Sequence, residues 1–277
     1  MKSVKLFLLT MLIVCFANAE AQYKYTSPAT VTIELTLVET NVFKKITETD
    51  INAMKKNKVK QIHFKNSRGD VNYHYNENGF ITDFSISDEE GNSSFNQYEY
   101  DAKGNLIKYF YGAKAGKTTD GVAYNYKYDD NGNIKSAWTE PNVMFSPAKQ
   151  YVINYSNKDF PNTPTSIDYY KGENDIEPPL YSATIQSDDK GRINFIMDKN
   201  GKTTINVNYI GENVDLDYLG DFVTHYTIKD NRFVTIADDF VTTNFTYKDN
   251  GLIDYFTITS KEDNKEKKFV MEYEYYK

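Results

Sequence analysis

A repeated five-residue turn motif constrains this chain more than any other feature. Most copies have Asp or Asn at the second position, and nearly all end in Gly. The clearest copies are Tyr75–Gly79, Tyr100–Gly104, Tyr128–Gly132, Ser187–Gly191 and Tyr247–Gly251, and weaker ones are Ser87–Gly91, Met197–Gly201 and Ile228–Arg232. An Asp carboxylate can accept a hydrogen bond from the backbone two residues on, and Gly can then adopt a positive φ. This is the three-residue hairpin loop, so we expect positive φ at Gly104, Gly132 and Gly251.

The residues that flank these turns alternate between aromatic and polar side chains. Tyr98-Glu-Tyr100, Tyr126-Lys-Tyr128 and Phe245-Thr-Tyr247 are examples, and this period of two is typical of a strand with one packed face. With a reversal about every 12 residues, the pattern predicts an all-β antiparallel meander of about 16–19 short strands. We expect it to close as an up-and-down barrel. Apolar residues occupy both odd and even positions in Leu106–Tyr111 and Leu252–Phe256, so the pattern does not decide which face of the sheet points inward.

Two segments before the first repeat differ from this pattern. Val31–Glu39 predicts an opening strand, and Thr49–Asn57 predicts one short helix, with Ile51 and Met54 at helical spacing. Further along, 139–147 and 172–179 are predicted as longer loops. No linker separates two units, so we expect a single β-repeat domain over residues 22–277.

The N-terminus is typical of a secretory signal peptide over residues 1–21. Lys2 and Lys5 precede an apolar run, Leu6–Phe16, that is too short to span a membrane. Cleavage is expected after Ala19 or Ala21, which places the protein in the periplasm or outside the cell.

A lipid anchor at Cys15 is the alternative processing route. Val14 occupies a position where lipoprotein processing requires a smaller residue, so we expect no lipid. Cys15 is the single cysteine, and its removal with the signal leaves no disulfide, thiolate or cysteine-ligated zinc. The net charge of −7, without a basic cluster, argues against nucleic acid as a partner.

The string Tyr-Asp-x-x-Gly-Asn-Leu/Ile at Tyr100 and Tyr128 resembles the tyrosine-aspartate repeat of the rearrangement-hotspot family. The resemblance covers about residues 73–256, and in that family such repeats build large strand-rich shells in exported bacterial proteins. The chain more closely resembles small exported bacterial proteins of unknown function whose hairpin repeats form a porin-like, up-and-down barrel. Either resemblance implies a fold and no activity.

Candidate catalytic or metal-binding residues are few. His63, His74 and His225 lie on separate predicted strands without a metal-binding spacing. The adjacent acids Asp129-Asp130, Asp188-Asp189 and Asp238-Asp239 suggest glycoside hydrolysis or calcium binding, but the first two pairs lie in the repeated turn, where Asp has a backbone role. We therefore predict no catalytic, cofactor-binding or metal-binding residue, no cofactor and no enzymatic activity.

The sequence favours an exported, non-enzymatic binding or scaffold protein whose partner is unknown, a cell-surface protein or a polysaccharide being candidates. The alternatives are an outer-membrane β-barrel with a pore or transport role and a carbohydrate-binding or carbohydrate-active protein. Tyr-x-Tyr stripes are interpreted as packing, with Trp138, the single tryptophan, as a candidate sugar platform. A soluble barrel requires the tyrosines to point inward, with Glu99, Lys127, Thr246 and Glu274 facing water. No transmembrane helix is expected in the mature chain.

Overall fold

The computed structural model describes residues 28–66, 69–87, 93–112, 121–140, 149–171, 178–218, 220 and 222–277. The predicted signal peptide, most of the weak turn at 87–91 and parts of the two predicted long loops lie outside these residues. No helix among the described residues is long and apolar enough to cross a membrane.

The described residues form two helices followed by nineteen strands. The helices are α1 (Pro28–Val42) and α2 (Lys44–Lys56). The first ten strands are β1 (Val59–Asn66), β2 (Gly69–Tyr75), β3 (Ile81–Ser87), β4 (Ser93–Tyr100), β5 (Leu106–Gly112), β6 (Val122–Tyr128), β7 (Ile134–Thr139), β8 (Lys149–Asn154), β9 (Ser166–Lys171) and β10 (Tyr181–Ser187). The remaining strands are β11 (Ile193–Met197), β12 (Thr203–Ile210), β13 (Asn213–Tyr218), β14 (Phe222–Lys229), β15 (Arg232–Ala237), β16 (Val241–Tyr247), β17 (Ile253–Ser260), β18 (Glu266–Val270) and β19 (Glu272–Tyr275).

The strands form one antiparallel meander that returns to its own start. Each strand pairs with the next from β1 to β18, and β19 pairs with β1, with Ile62 opposite Tyr273. The barrel closes at β18 and β19, which are separated only by Met271. Strand β18 pairs with β17, and β19 pairs with β1. The predicted all-β meander is confirmed as a nearly closed barrel.

The repeated motif forms the hairpin turn that its residues predict. Gly104, Gly132 and Gly251 have φ values of 80°, 81° and 89°. In the first of these turns Asp101 Oδ1 accepts the backbone N–H of Asn105 at 2.8 Å. The strand register shifts just before the turn, as a bulge requires. The turn assignment is therefore confirmed.

Tyrosines near the strand ends, including Tyr128 and Tyr247 of the repeat, connect neighbouring strands at the end of the barrel where the repeat turns lie. The Tyr128 hydroxyl donates to the carbonyl oxygen of Leu106 at 2.7 Å, and the Tyr209 hydroxyl donates to that of Ile193 at 3.0 Å. In each case the acceptor is the first residue of the preceding strand. Similar bonds join Tyr155 to Ile134, Tyr247 to Phe233 and Tyr273 to Ile253. Because each hydroxyl satisfies a strand-end carbonyl, the repeated Tyr has a structural role.

The interior face of the barrel carries the aromatic residues. Tyr73, Tyr98 and Tyr126 are 1%, 4% and 4% exposed. The polar residues of the alternation lie on the other face, where three are exposed and Thr246 is half-buried: Glu99, Lys127, Thr246 and Glu274. The structure thus decides the question that periodicity left open, and the tyrosine face points inward.

Helix α1 lies among these inward side chains, and the predicted strand Val31–Glu39 is wrong. Ile33, Glu34 and Val38 are 1%, 3% and 0% exposed, although they project from different sides of the helix. Both edges of β1 are already paired, with β2 and β19, so a preceding strand would have no partner there. A helix satisfies its own backbone hydrogen bonds, and tertiary context overrides the preference of Val, Ile and Thr for strands.

Helix α2 lies close to the turns at one end of the barrel. It contains the predicted helix but begins at Lys44, five residues before the predicted start, and ends at Lys56. A Cβ at Gly79, in the turn between β2 and β3, would lie 2.5 Å from the carbonyl oxygen of Ile51. Between the helices, the Phe43 ring packs 4.7 Å from Tyr226. The prediction of one helix is therefore corrected to two: α1 lies inside the barrel, and α2 packs its buried face against the turns at one end.

Candidate functional site

Glu34 is an acidic side chain that is buried in the interior and bonded to the barrel wall. Glu34 Oε1 accepts the Tyr169 hydroxyl at 2.5 Å. Burial raises the pKa of Glu34 from 4.5 to about 7, while hydrogen bonds from Tyr169 and Thr204 oppose that rise. These partners belong to β9 and β12, so the carboxyl group joins α1 to the barrel wall. Its neighbours are wall and helix residues, and this contact is structural.

The three histidines lie on the outer face, on β1, β2 and β14. Each is paired with a carboxylate of a neighbouring strand, which is the ordinary strand role expected for it. The contacts join His63 to Asp70 at 3.3 Å, His74 to Asp83 at 2.6 Å and His225 to Asp215 at 2.7 Å. Within the part of the chain that the structure describes, no three His, Cys, Asp or Glu residues are grouped to hold a metal ion.

The paired aspartates are used by the backbone of their own turns. Asp129 Oδ1 accepts the N–H of Asn133 at 2.9 Å. Asp188 Oδ1 accepts the N–H of Arg192 at 2.8 Å. Asp238 Oδ1 accepts the N–H of Val241 at 2.8 Å in the turn between β15 and β16. The turn interpretation of Asp129 and Asp188 is therefore confirmed, and Asp238 has the same role in a turn that the motif did not predict.

A row of polar and aromatic side chains crosses the outer face from β4 to β9. Strand register places its six members directly opposite one another in sequence across the sheet: Glu99, Lys108, Asn125, Trp138, Gln150 and Tyr170. Directly opposed residues share a face of the sheet. Their chain neighbours Tyr98, Tyr124 and Tyr151 are buried on the inner face, so this row points outward. We call the row, together with Lys127 and Glu140, the Trp138 strip.

Polar contacts fix the geometry of the Trp138 strip. Lys108 Nζ lies 2.6 Å from Glu140 Oε1, and Asn125 Nδ2 donates to the same oxygen at 3.3 Å. The hydrogen bond from Lys108 lowers the pKa of Glu140, so the carboxyl is charged at neutral pH. Lys127 Nζ lies 5.1 Å from the centre of the Trp138 ring, within the range of a cation–π contact. The strip thus combines two aromatic side chains, two amides, two lysines and two glutamates, of which Lys108 and Glu140 form an ion pair.

The sequence identified Trp138 and the outward Glu99 and Lys127, and it missed the other members of the strip. Lys108, Gln150 and Tyr170 come from three strands, and only the register brings them into line with the tryptophan. They could have been found by knowing which alternate residues of each strand face outward. The sequence did not decide this, because β5 carries apolar residues at both odd and even positions. The structure separates the two aromatic sets, with Tyr-x-Tyr inside and Trp138 outside.

Elsewhere on the outer face, a depression lies on β11 to β13. It has a volume of about 500 Å³ and is lined in part by Phe195, Asn206 and Asp217. It is open on one side and carries a single aromatic side chain. The Trp138 strip offers the denser set of recognition groups.

Comparison with known proteins gives matches among solved structures only. No protein-family model matches the sequence, and no curated protein matches it. Among solved structures, a porin-like protein from Bacteroides uniformis ATCC 8492 is 11% identical, with a TM-score of 0.38, over 79% of this chain and 96% of that one. TcdB2-TccC3 is 12% identical, with a TM-score of 0.30, over 75% of this chain and 14% of that one. The architecture described above rests on the strand pairing itself and not on these likenesses.

Proposed function

We propose that the chain is an exported, non-enzymatic binding module that presents its recognition surface on the outside of a filled barrel. The observation that carries the proposal is the separation of the two faces. The aromatic face packs around α1 and α2, as in the contact of Glu34 with Tyr169, and leaves the outer face for recognition. The Trp138 strip is the part of that face with both aromatic and hydrogen-bonding groups.

An outer-membrane barrel is the alternative, and the outer face argues against it. A lipid-facing band requires apolar outward side chains, and a Lys at the bilayer midplane costs about 2–4 kcal/mol. The outward positions include exposed Glu99, Lys127 and Glu274 and the polar contact of His225 with Asp215. These residues lie on strands around the whole barrel.

An enzyme is a weaker candidate still. General acid–base catalysis requires a titratable group aimed at a space that a substrate can enter. Asp129 and Asp188 bond backbone groups of their turns, and Glu34 faces the packed interior. These groups are occupied in holding the fold.

Fractionation of cells that express the full chain with its leader tests the proposal. We expect the protein in the aqueous periplasmic fraction or the medium, monodisperse without detergent. Recovery only in outer-membrane pellets that resist carbonate and urea washing would overturn it, and single-channel conductance in a planar bilayer would replace it with a pore.

A further inference from the structure

We infer that the Trp138 strip is a binding site for an uncharged oligosaccharide that lies across strands β5 to β9. The inference rests on the proposed function and names the ligand class of the same outer face.

The spacing of the two aromatic side chains is the first part of the argument. Trp138 pairs with Gln150, and Gln150 pairs with Tyr170, so the aromatic residues lie two strands apart. Neighbouring strands are about 4.8 Å apart, which separates the two by about 10 Å. This is comparable to the length of a disaccharide unit, so an extended glycan can place alternate sugar rings over the two side chains.

The polar side chains between and beside the rings match a sugar's remaining surface. A pyranose presents an apolar C–H face, which packs on an aromatic ring, and a rim of hydroxyl groups, each both donor and acceptor. Gln150 lies half-buried beside Trp138 on the adjoining strand, and an amide likewise offers both donors and acceptors. Asn125, on the other side, is only 9% exposed and donates to Glu140, so it supports the site from below. A few placed polar groups around an apolar contact are typical of small-ligand sites.

The charge of the strip favours an uncharged ligand. Glu99 and Glu140 balance Lys108 and Lys127, so the strip has no net charge within a chain of net charge −7. An acidic polysaccharide or a nucleic acid would require an excess of Lys or Arg. The salt bridge between Lys108 and Glu140 also leaves these two groups compensated when no ligand is bound.

The single tryptophan makes the inference directly testable. Because the chain has one Trp, intrinsic Trp emission reports on this strip and on no other surface. The probes are hexasaccharides of β-linked glucose, mannose, xylose and N-acetylglucosamine, titrated into the mature protein. We expect at least one to change the emission in a saturable way, with a glucose titration producing no change.

Variants separate the strip from other outward aromatics. Tyr170→Ala and Gln150→Ala should each weaken the binding roughly ten-fold, as loss of a stacking or hydrogen-bonding contact implies. Tyr255→Ala is the matched control, because Tyr255 is also an aromatic residue with a lysine over its ring, Lys268 at 3.5 Å, on strand β17. It should bind as tightly as the unaltered protein. Circular dichroism shows whether each variant is folded, and Tyr170→Leu replaces Tyr170→Ala if the latter is not.

The outcomes distinguish this inference from the proposed function. If none of the four hexasaccharides binds while the protein is exported and detergent-free, the carbohydrate inference is wrong and the binding-module proposal stands. Binding of oligogalacturonate alone, or equal loss of binding in Tyr255→Ala, would also overturn the inference. Recovery of the protein only in the outer-membrane fraction would instead refute the proposed function.

Discussion

Gly79→Ala tests whether helix α2 is seated against the hairpin turns, and Gly201→Ala is its matched control. Both glycines end a repeat turn, with φ of 80° and 75°. A Cβ at Gly79 would lie 2.5 Å from Ile51 O and 2.8 Å from Lys55 N, whereas a Cβ at Gly201 would meet nothing within 4 Å. Alanine at positive φ costs about 1–2 kcal/mol at either site. At Gly79 the obstacle is helix backbone, so displacement of α2 should add about 1–3 kcal/mol.

Urea unfolding followed by circular dichroism measures the difference. Gly79→Ala should lower the free energy of unfolding by about 1–3 kcal/mol more than Gly201→Ala, and its melting temperature by about 2–4 °C more for each of those kcal/mol. The slope of unfolding against urea should be the same in both variants, since they share the native surface. Equal destabilisation by the two substitutions would refute the packing of α2 on this turn.

Three further predictions concern the Tyr209 hydroxyl, the Glu34 carboxyl and the N-terminal cleavage site. Tyr209→Phe removes the bond to Ile193 O and should cost on the order of 1 kcal/mol in urea unfolding; an unchanged midpoint would contradict the structural role of these strand-end tyrosine hydroxyls. Burial raises the pKa of Glu34 from 4.5 to about 7, so the folded state keeps a proton that the unfolded chain releases. This stabilising contribution is fully present below about pH 4.5 and is lost by about pH 7, a fall of roughly 3 kcal/mol. Glu34→Gln should reduce the difference between unfolding at pH 5 and at pH 8 by about that amount, and buried acids such as Glu39, whose pKa burial also raises, should account for the pH dependence that is left. Mass spectrometry of the exported protein should show cleavage after Ala19 or Ala21, and a lipid-modified N-terminus would refute that processing.

The turns and strands could be predicted because their causes are local. An Asp or Asn three residues before a Gly specifies a hairpin loop through its own side chain, as Asp101 and Gly104 show. Alternation of aromatic and polar residues specifies a strand with one packed face. These two signals predicted the meander and a range of strand numbers that includes the observed one.

The N-terminal helix could not be predicted because its cause is distant. Val31–Glu39 contains Val, Ile and Thr in an alternating order that favours a strand. Its conformation depends on the barrel that surrounds it, through contacts such as Glu34 with Tyr169, which are 135 residues apart. A helix buried on several sides also lacks the polar stripe by which amphipathic helices are recognised.

The candidate site was only partly visible for a similar reason. Trp138 stood out as the single tryptophan, but its partners depend on which residues of five other strands lie opposite it. Register is set by turn lengths and by the buried face, and part of the connecting sequence carries no turn motif. Strand pairing therefore had to be known before Gln150 and Tyr170 could be placed beside the tryptophan.

Spectrophotometric titration of tyrosine tests whether the tyrosine face of the sheet points into the barrel. Burial raises the pKa of Tyr73, Tyr98 and Tyr126 above the ordinary value, which is about 10 for a solvated tyrosine. After a rapid jump from pH 8 to pH 11.5, we expect only a small immediate rise in absorbance at 295 nm. The larger part of the rise should follow slowly, at the rate at which circular dichroism reports unfolding. Immediate ionisation of most of the 24 tyrosines while the circular dichroism spectrum is unchanged would contradict the account.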